Sequence, residues 1–407
     1  MNFLPKIINI KNCTAFVIFA GLCIGNIVYS PVCYGKNTNK KMSVTGYIDA
    51  AKKSIQSKHY EDAIEFCDKV IKINPNNVEA YNQRGNAKSL QGKYKEAIED
   101  YTKAIELNPN RENIYYNRGL AYSYLKNYDE VMEDYTKELQ INSSNINAYL
   151  NRGTTEVILE LYDDAISDFS KIIVSDSKNE LAYYNRGIAK RSKGDYKGAI
   201  EDYSTVIDLN PKNVDAYNNR GVAKYYLKDY QGAIEDYTKV TELNKNLEKA
   251  YYNRAMVYFS LKKYELAVED YTKTIELSPN NESAYFNRGI VQEILGNDVS
   301  ALDDYSKAIE LNPKNDDYYF HRAYLLSKNG KDLKKALSDI DMSIKIEDNE
   351  PEKYLTRANI YCKLGKYLQA VDDLNVYLKS NSDNNQAIEL RTHAIQFLTN
   401  ELKDKKQ

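Results

Sequence analysis

The sequence has no tryptophan, eight prolines and three histidines in 407 residues. The histidines, His59, His321 and His393, stand far apart with no metal-ligand spacing, so no metal centre and no cofactor is expected. No phosphate-cradling glycine loop and no nucleophile motif occurs, and an enzyme is not expected. An excess of basic charge is also missing. The chain carries 56 Lys and Arg against 58 Asp and Glu, mixed along its length, for a net charge of −2. That balance excludes the basic stripe that nucleic-acid binding needs. Beyond residue 35 the only cysteines are Cys67 and Cys362, too far apart in the chain for an intramolecular disulfide to be expected. Against these absences stand 38 tyrosines.

Residues 1–35 differ from the rest. They contain no acid, carry Lys6 and Lys11, and run mostly apolar from Cys13 to Tyr29. A basic start followed by such a run reads as an export signal or an N-terminal membrane anchor. Gly35 offers a small-residue cleavage site. On this reading the protein is exported to the periplasm, envelope or medium, or is membrane-attached through residues 13–29. An alternative keeps it in the cytoplasm, tethered by the same segment. Residues 36–43 are a polar linker.

The tyrosines fall on a period. Arg84, Arg118, Arg152, Arg186, Arg220, Arg254, Arg288 and Arg322 follow one another at 34-residue steps, and Arg357 comes 35 residues on. A fixed period of this length means a repeat array. Framed on it, the chain has ten units: 44–77, 78–111, 112–145, 146–179, 180–213, 214–247, 248–281, 282–315, 316–350 and 351–384. The fourth phase is tyrosine in every unit, from Tyr47 and Tyr81 to Tyr319 and Tyr354. Four residues later the phase is Gly or Ala. A second small phase holds Ala97, Ala165, Ala199 and their counterparts, with Val131 the exception. Each unit reads as two helices with a turn such as Gly92-Lys-Tyr between them, and the second helix ends at Asn-Pro in units such as 78–111, 180–213 and 282–315, as at Asn108-Pro109. Neither helix could bury its apolar stripe alone, so stability must come from stacking. Residues 385–402 read as an amphipathic capping helix and 403–407 as a tail.

This pattern resembles the tetratricopeptide repeat family over residues 44–384. The resemblance rests on the small phases, the turn tyrosines (Tyr60, Tyr94, Tyr196), the second-helix aromatics (Tyr101, Tyr135, Phe169, Tyr203) and the terminal prolines. It implies an all-α fold, a right-handed α-solenoid of about ten helix-turn-helix repeats with a concave groove lined by the first helices. Departures are Asp298 at the turn aromatic, Glu138 at an apolar phase, and an insertion near Lys331.

Two phases need their own account. The arginine stands where the family usually has leucine, and sixteen residues after it comes an aspartate. The resulting pairs Arg118–Asp134, Arg152–Asp168, Arg186–Asp202 and Arg220–Asp236 read as structural ion pairs bridging the two helices of a unit. One residue before the arginine lies asparagine in six consecutive units: Asn117, Asn151, Asn185, Asn219, Asn253 and Asn287. The resemblance places this phase in the groove, where an amide could offer donor and acceptor to the backbone of an extended peptide. Tyr116, Tyr184, Tyr252 and Phe286 would line the same groove beside Leu150 and Phe320. The expected function is therefore a non-catalytic protein-interaction scaffold that holds an extended polypeptide. An envelope scaffold working through its convex face or array ends is the alternative.

Overall fold

A computed structural model describes residues 42–404. Residues 1–35, on which the export signal or membrane anchor is expected, most of the linker and the last three residues lie outside that range. All regular structure among the described residues is helical, and no described helix is long and apolar enough to cross a membrane. The chain forms two compact units, with the division between Ala223 and Lys224. It falls inside a helix, whereas the sequence reads as an uninterrupted array. In a repeat stack each pair packs only on its neighbours, so no single core spans the chain.

The first unit holds α1 (Val44–Gln56), α2 (Tyr60–Ile73), α3 (Val78–Leu90), α4 (Tyr94–Leu107), α5 (Ile114–Tyr124) and α6 (Tyr128–Ile141). It continues with α7 (Ile146–Ile158), α8 (Tyr162–Ser175), α9 (Glu180–Lys193), α10 (Tyr196–Leu209) and most of α11 (Val214–Tyr226). The second unit holds the end of α11, then α12 (Tyr230–Leu243), α13 (Glu248–Ser260), α14 (Tyr264–Leu277), α15 (Glu282–Ile294) and α16 (Asp298–Leu311). It ends with α17 (Asp316–Lys328), α18 (Leu333–Ile346), α19 (Pro351–Lys363), α20 (Tyr367–Ser380) and the capping helix α21 (Asn385–Asp404). Each repeat is one odd-numbered and one even-numbered helix.

Local chemistry sets the helix ends. Asn77, Asn145, Asn179 and Asn281 cap first helices, each accepting the backbone N–H three residues on through its side chain. The turn inside a repeat needs a left-handed residue. Glycine supplies it at Gly92, Gly194 and Gly296, but Lys126, Glu160 and Lys228 take the same conformation with φ near +61°. The small phases let the helices of a pair close. A Cβ built on Gly187 would lie 2.7 Å from the Tyr203 ring, and Ala97, Ala165 and Ala199 are fully buried. Glu138, at an apolar phase, is also fully buried. It earns that place by accepting the backbone N–H of Asn113 at 2.9 Å and the Asn145 amide at 3.0 Å, fixing the entry to α5.

Candidate functional site

The arginine row is built the same way from repeat to repeat. Arg118 donates from Nε and Nη2 to the two carboxylate oxygens of Asp134 at 2.9 and 2.7 Å. Arg152 does so to Asp168 at 2.6 and 2.9 Å, and Arg186 to Asp202 at 2.9 and 2.7 Å. In the second unit Arg254, Arg288, Arg322 and Arg357 hold Asp270, Asp304, Asp339 and Asp373 in the same fork. Arg220 and Asp236 fall in different units. Within its own, Arg220 donates to Ser204 at 3.0 Å, and Lys224 reaches Asp236 at 2.9 Å.

The guanidinium has further work that the sixteen-residue spacing did not reveal. Its Nη1 reaches back to the second helix of the preceding repeat: Thr102 for Arg118, Thr136 for Arg152, Ser170 for Arg186, each at 3.0 Å. At the outer repeats the acceptor is a carboxylate, Asp68 for Arg84 and Asp341 for Arg357. The guanidinium also lies over the ring of the tyrosine three residues before it, 5.4 Å from the Tyr183 centroid for Arg186. The unvarying tyrosine and the Ser/Thr phase thus belong to one network joining three helices. Burial raises the Asp134 carboxyl above its ordinary range despite Arg118, so the pair fixes geometry more than it adds free energy.

The asparagine row is arranged differently, and here the expected open groove needs correcting. Asn151, Asn185, Asn253 and Asn287 are buried, as are Tyr116, Tyr184 and Phe286; Asn117, Asn219 and Tyr252 are half-buried. The amides turn toward the preceding repeat because hydroxyls wait there. Asn151 Nδ2 donates to Tyr116 at 3.2 Å and Tyr135 at 3.4 Å, Asn219 to Tyr184 at 2.9 Å, and Asn287 to Tyr252 at 2.8 Å. Asn117 instead donates to Asn86 at 3.1 Å. These bonds use the amide nitrogen. The Oδ1 oxygens of Asn151 and Asn287, and both polar atoms of Asn185, are buried with no hydrogen-bond partner among the described residues. Tyrosine ionisation plays no part, since burial pushes the hydroxyl of Tyr184 well above its ordinary range.

His321 sits among Phe286, Tyr305 and Phe320, and burial pulls it down to about 4, so it is neutral at physiological pH. Among the described residues no group of three or more metal-ligating side chains is gathered. At the thirteenth phase of the first helices, Tyr124, Ile158 and Ile294 are exposed, whereas Leu90 and Tyr226 are half-buried.

Comparison with known families follows the same frame. Tetratricopeptide repeat models match residues 78–111, 214–247, 248–281 and 283–315, and also 100–132 and 305–337; a TPR repeat model matches 187–227. The chain belongs to the tetratricopeptide repeat family. A protein prenyltransferase alpha subunit repeat model matches only residues 60–87. No curated protein matches. Among solved structures, MamA is similar at 28% identity over 40% of this chain and 95% of its own, with a TM-score of 0.39. Yeast Tom70 is similar at 17% identity over 89% of this chain and 96% of its own, with a TM-score of 0.41. A tetratricopeptide repeat protein from Parabacteroides merdae shows 20% identity over 61% of this chain and 98% of its own, with a TM-score of 0.45. The tetratricopeptide repeats make this chain a protein-interaction scaffold.

Proposed function

We propose that the first-helix face of this tetratricopeptide array binds an extended polypeptide segment through its main chain. One observation carries the reading. Tyrosines take up the donor side of Asn151, Asn219 and Asn287, while the Oδ1 oxygens of Asn151, Asn185 and Asn287 are left without a partner among the described residues. A buried acceptor without a partner is unfavourable, and a peptide N–H would relieve it. The exposed Tyr124, Ile158 and Ile294 would add apolar contact to side chains of the ligand. Because the amides are buried, binding requires local movement at the seams between repeats. The residues assign no catalytic step, and the expected role is non-catalytic.

The test is a peptide array probed with the full chain and with a variant carrying Asn151→Ala, Asn185→Ala, Asn219→Ala and Asn253→Ala. Helical content and melting of the two are compared first. Loss of the bound peptides in the folded variant supports the reading; unchanged binding rejects it and moves the working surface to the convex face or the array ends. We further propose that residues 13–29 direct export or anchor the chain. Protease accessibility in intact cells checks this, since an array held in the cytoplasm would be protected.

A further inference from the structure

Two tyrosine rings at the surface lie flat against each other. Tyr94 opens α4 and Tyr124 closes α5, so they belong to consecutive repeats. Their centroids are 4.5 Å apart and their planes 7° from parallel. Tyr124 is 54% exposed and Tyr94 half-buried. Buried tyrosine pairs meet differently: Tyr116 and Tyr135 at 5.8 Å and 38°, Tyr184 and Tyr203 at 6.0 Å and 59°. The flat stack recurs near the C-terminus, where Tyr367 opens α20 and Phe397 lies on α21, 4.8 Å apart and 5° from parallel. Phe397 follows Tyr367 by 30 residues, as Tyr124 follows Tyr94, but brings no hydroxyl. At the same distance after Tyr128 and Tyr264 stand Ile158 and Ile294, which bring no ring.

We propose that Tyr94 and Tyr124 are a site of oxidative cross-linking, joined as dityrosine by hydrogen peroxide acting through a haem peroxidase. Each phenol gives up one electron and its hydroxyl proton, and the peroxide takes both pairs and becomes two waters. The phenoxyl radicals so formed carry spin on the carbons ortho to oxygen, in lobes perpendicular to the ring. Parallel stacked rings present these lobes to each other, whereas strongly tilted rings do not. One C–C bond forms between ortho carbons, and the hydrogen on each then moves to its oxygen, restoring both aromatic rings. Burial first, and then Tyr124, push the Tyr94 hydroxyl above its ordinary range, so it is the neutral phenol that is oxidised. The exposure of Tyr124 admits the oxidant. The new bond would staple α4 to α5, and closing the chain between them restricts the unfolded state. Neither residue belongs to the asparagine row, and coupling requires no peptide.

The test treats the full chain, at low concentration, with a haem peroxidase and limiting hydrogen peroxide. Monomer recovered by size exclusion is digested and mapped by mass spectrometry. The expected product is lighter by two hydrogen atoms, shows dityrosine fluorescence and joins the peptides of Tyr94 and Tyr124. Its melting temperature should rise by about 5 °C. Tyr124→Phe keeps a stack of the kind seen at Tyr367 and Phe397, so it should fold, lose this product and show no such rise. Phe397→Tyr should gain a second product, joining position 397 to Tyr367. Mapping also separates coupling between Tyr196 and Tyr226, which share the spacing in the sequence. A monomer without the Tyr94–Tyr124 bond, or dityrosine found only between molecules or only at other positions, overturns the site. If Tyr94 and Tyr124 couple but Phe397→Tyr adds nothing, the stack does not direct the reaction and its geometric basis fails. A cross-linked product that melts like the untreated chain overturns the staple.

Discussion

Arg186 and Asn185 are adjacent on α9, yet their surroundings follow different rules. The guanidinium of Arg186 meets Asp202, Ser170 and the Tyr183 ring, and the same set recurs at Arg152 and Arg118 apart from a Ser/Thr exchange. The amide of Asn185 has no partner among the described residues, while those of Asn151 and Asn219 are tied to tyrosines. A row whose partners repeat with the array is architecture. A row whose residue repeats while its partners change is where one repeat can differ from the next in function.

The largest effect should come from breaking the architectural row. Arg118→Leu leaves Asp134, 2% exposed, as an uncompensated buried charge. It should cost about 3–5 kcal/mol in denaturant unfolding, and Arg118→Leu with Asp134→Leu should recover most of that. Arg186→Leu should cost less, because Lys190 still holds Asp202 at 2.9 Å.

A second effect concerns Glu156, which sits where Lys88, Lys190 and Lys224 reach the row's aspartates. Burial first, and then the nearby Asp168, push its carboxyl up to about 8. Arg152, 3.7 Å away, and Lys171 oppose this, and Asp164 adds to it. The folded state thus holds the proton more tightly than the unfolded chain, whose glutamate titrates at about 4.3. The stability this contributes is present in full below that value and is lost as pH rises toward 8. Melting followed from pH 4 to 9 should show the decline, and Glu156→Gln should flatten it. Glu156→Lys should gain about 1–2 kcal/mol at pH 8 by restoring the lysine contact.

Smaller effects separate the asparagines. Asn219→Ala strands the Tyr184 hydroxyl and should cost about 1–3 kcal/mol, whereas Asn185→Ala strands nothing and should leave unfolding unchanged or slightly improved. Equal losses at both positions would erase the distinction between the tied and the untied asparagine. The smallest gain is at the turn: Glu160→Gly relieves a left-handed residue with φ 61° and should add up to about 1 kcal/mol.

Much of this was legible in the sequence. The 34-residue period marks the helices, and the sixteen-residue offset points from Arg118 to Asp134. Two things were not. The hydroxyl partner of each arginine lies in the preceding repeat, so Thr102 looks unrelated to Arg118 until the stack brings α4 against α5. The signal was present as Thr or Ser at one phase through seven repeats, from Thr102 to Ser306. The direction of the asparagine amides was also hidden. For Asn151, Asn219 and Asn287 it follows a tyrosine hydroxyl 35 residues back, and the resemblance supplied a groove-facing expectation instead. Leu150 and Phe169 look like conservative replacements for tyrosine. Only the seam between α7 and α9 shows that together they remove the partners of Asn185.

The most direct test measures melting and peptide affinity on the same preparations of Arg118→Leu and Asn185→Ala in the full chain. The expected result is a double separation. Arg118→Leu should lower the melting temperature and, at temperatures where it stays folded, bind the peptide within about twofold of the unmodified chain. Asn185→Ala should keep its melting temperature and bind about tenfold more weakly. If Asn185→Ala melts lower while its affinity is unchanged, the asparagine row is architecture like the arginine row, and the functional distinction between them is wrong.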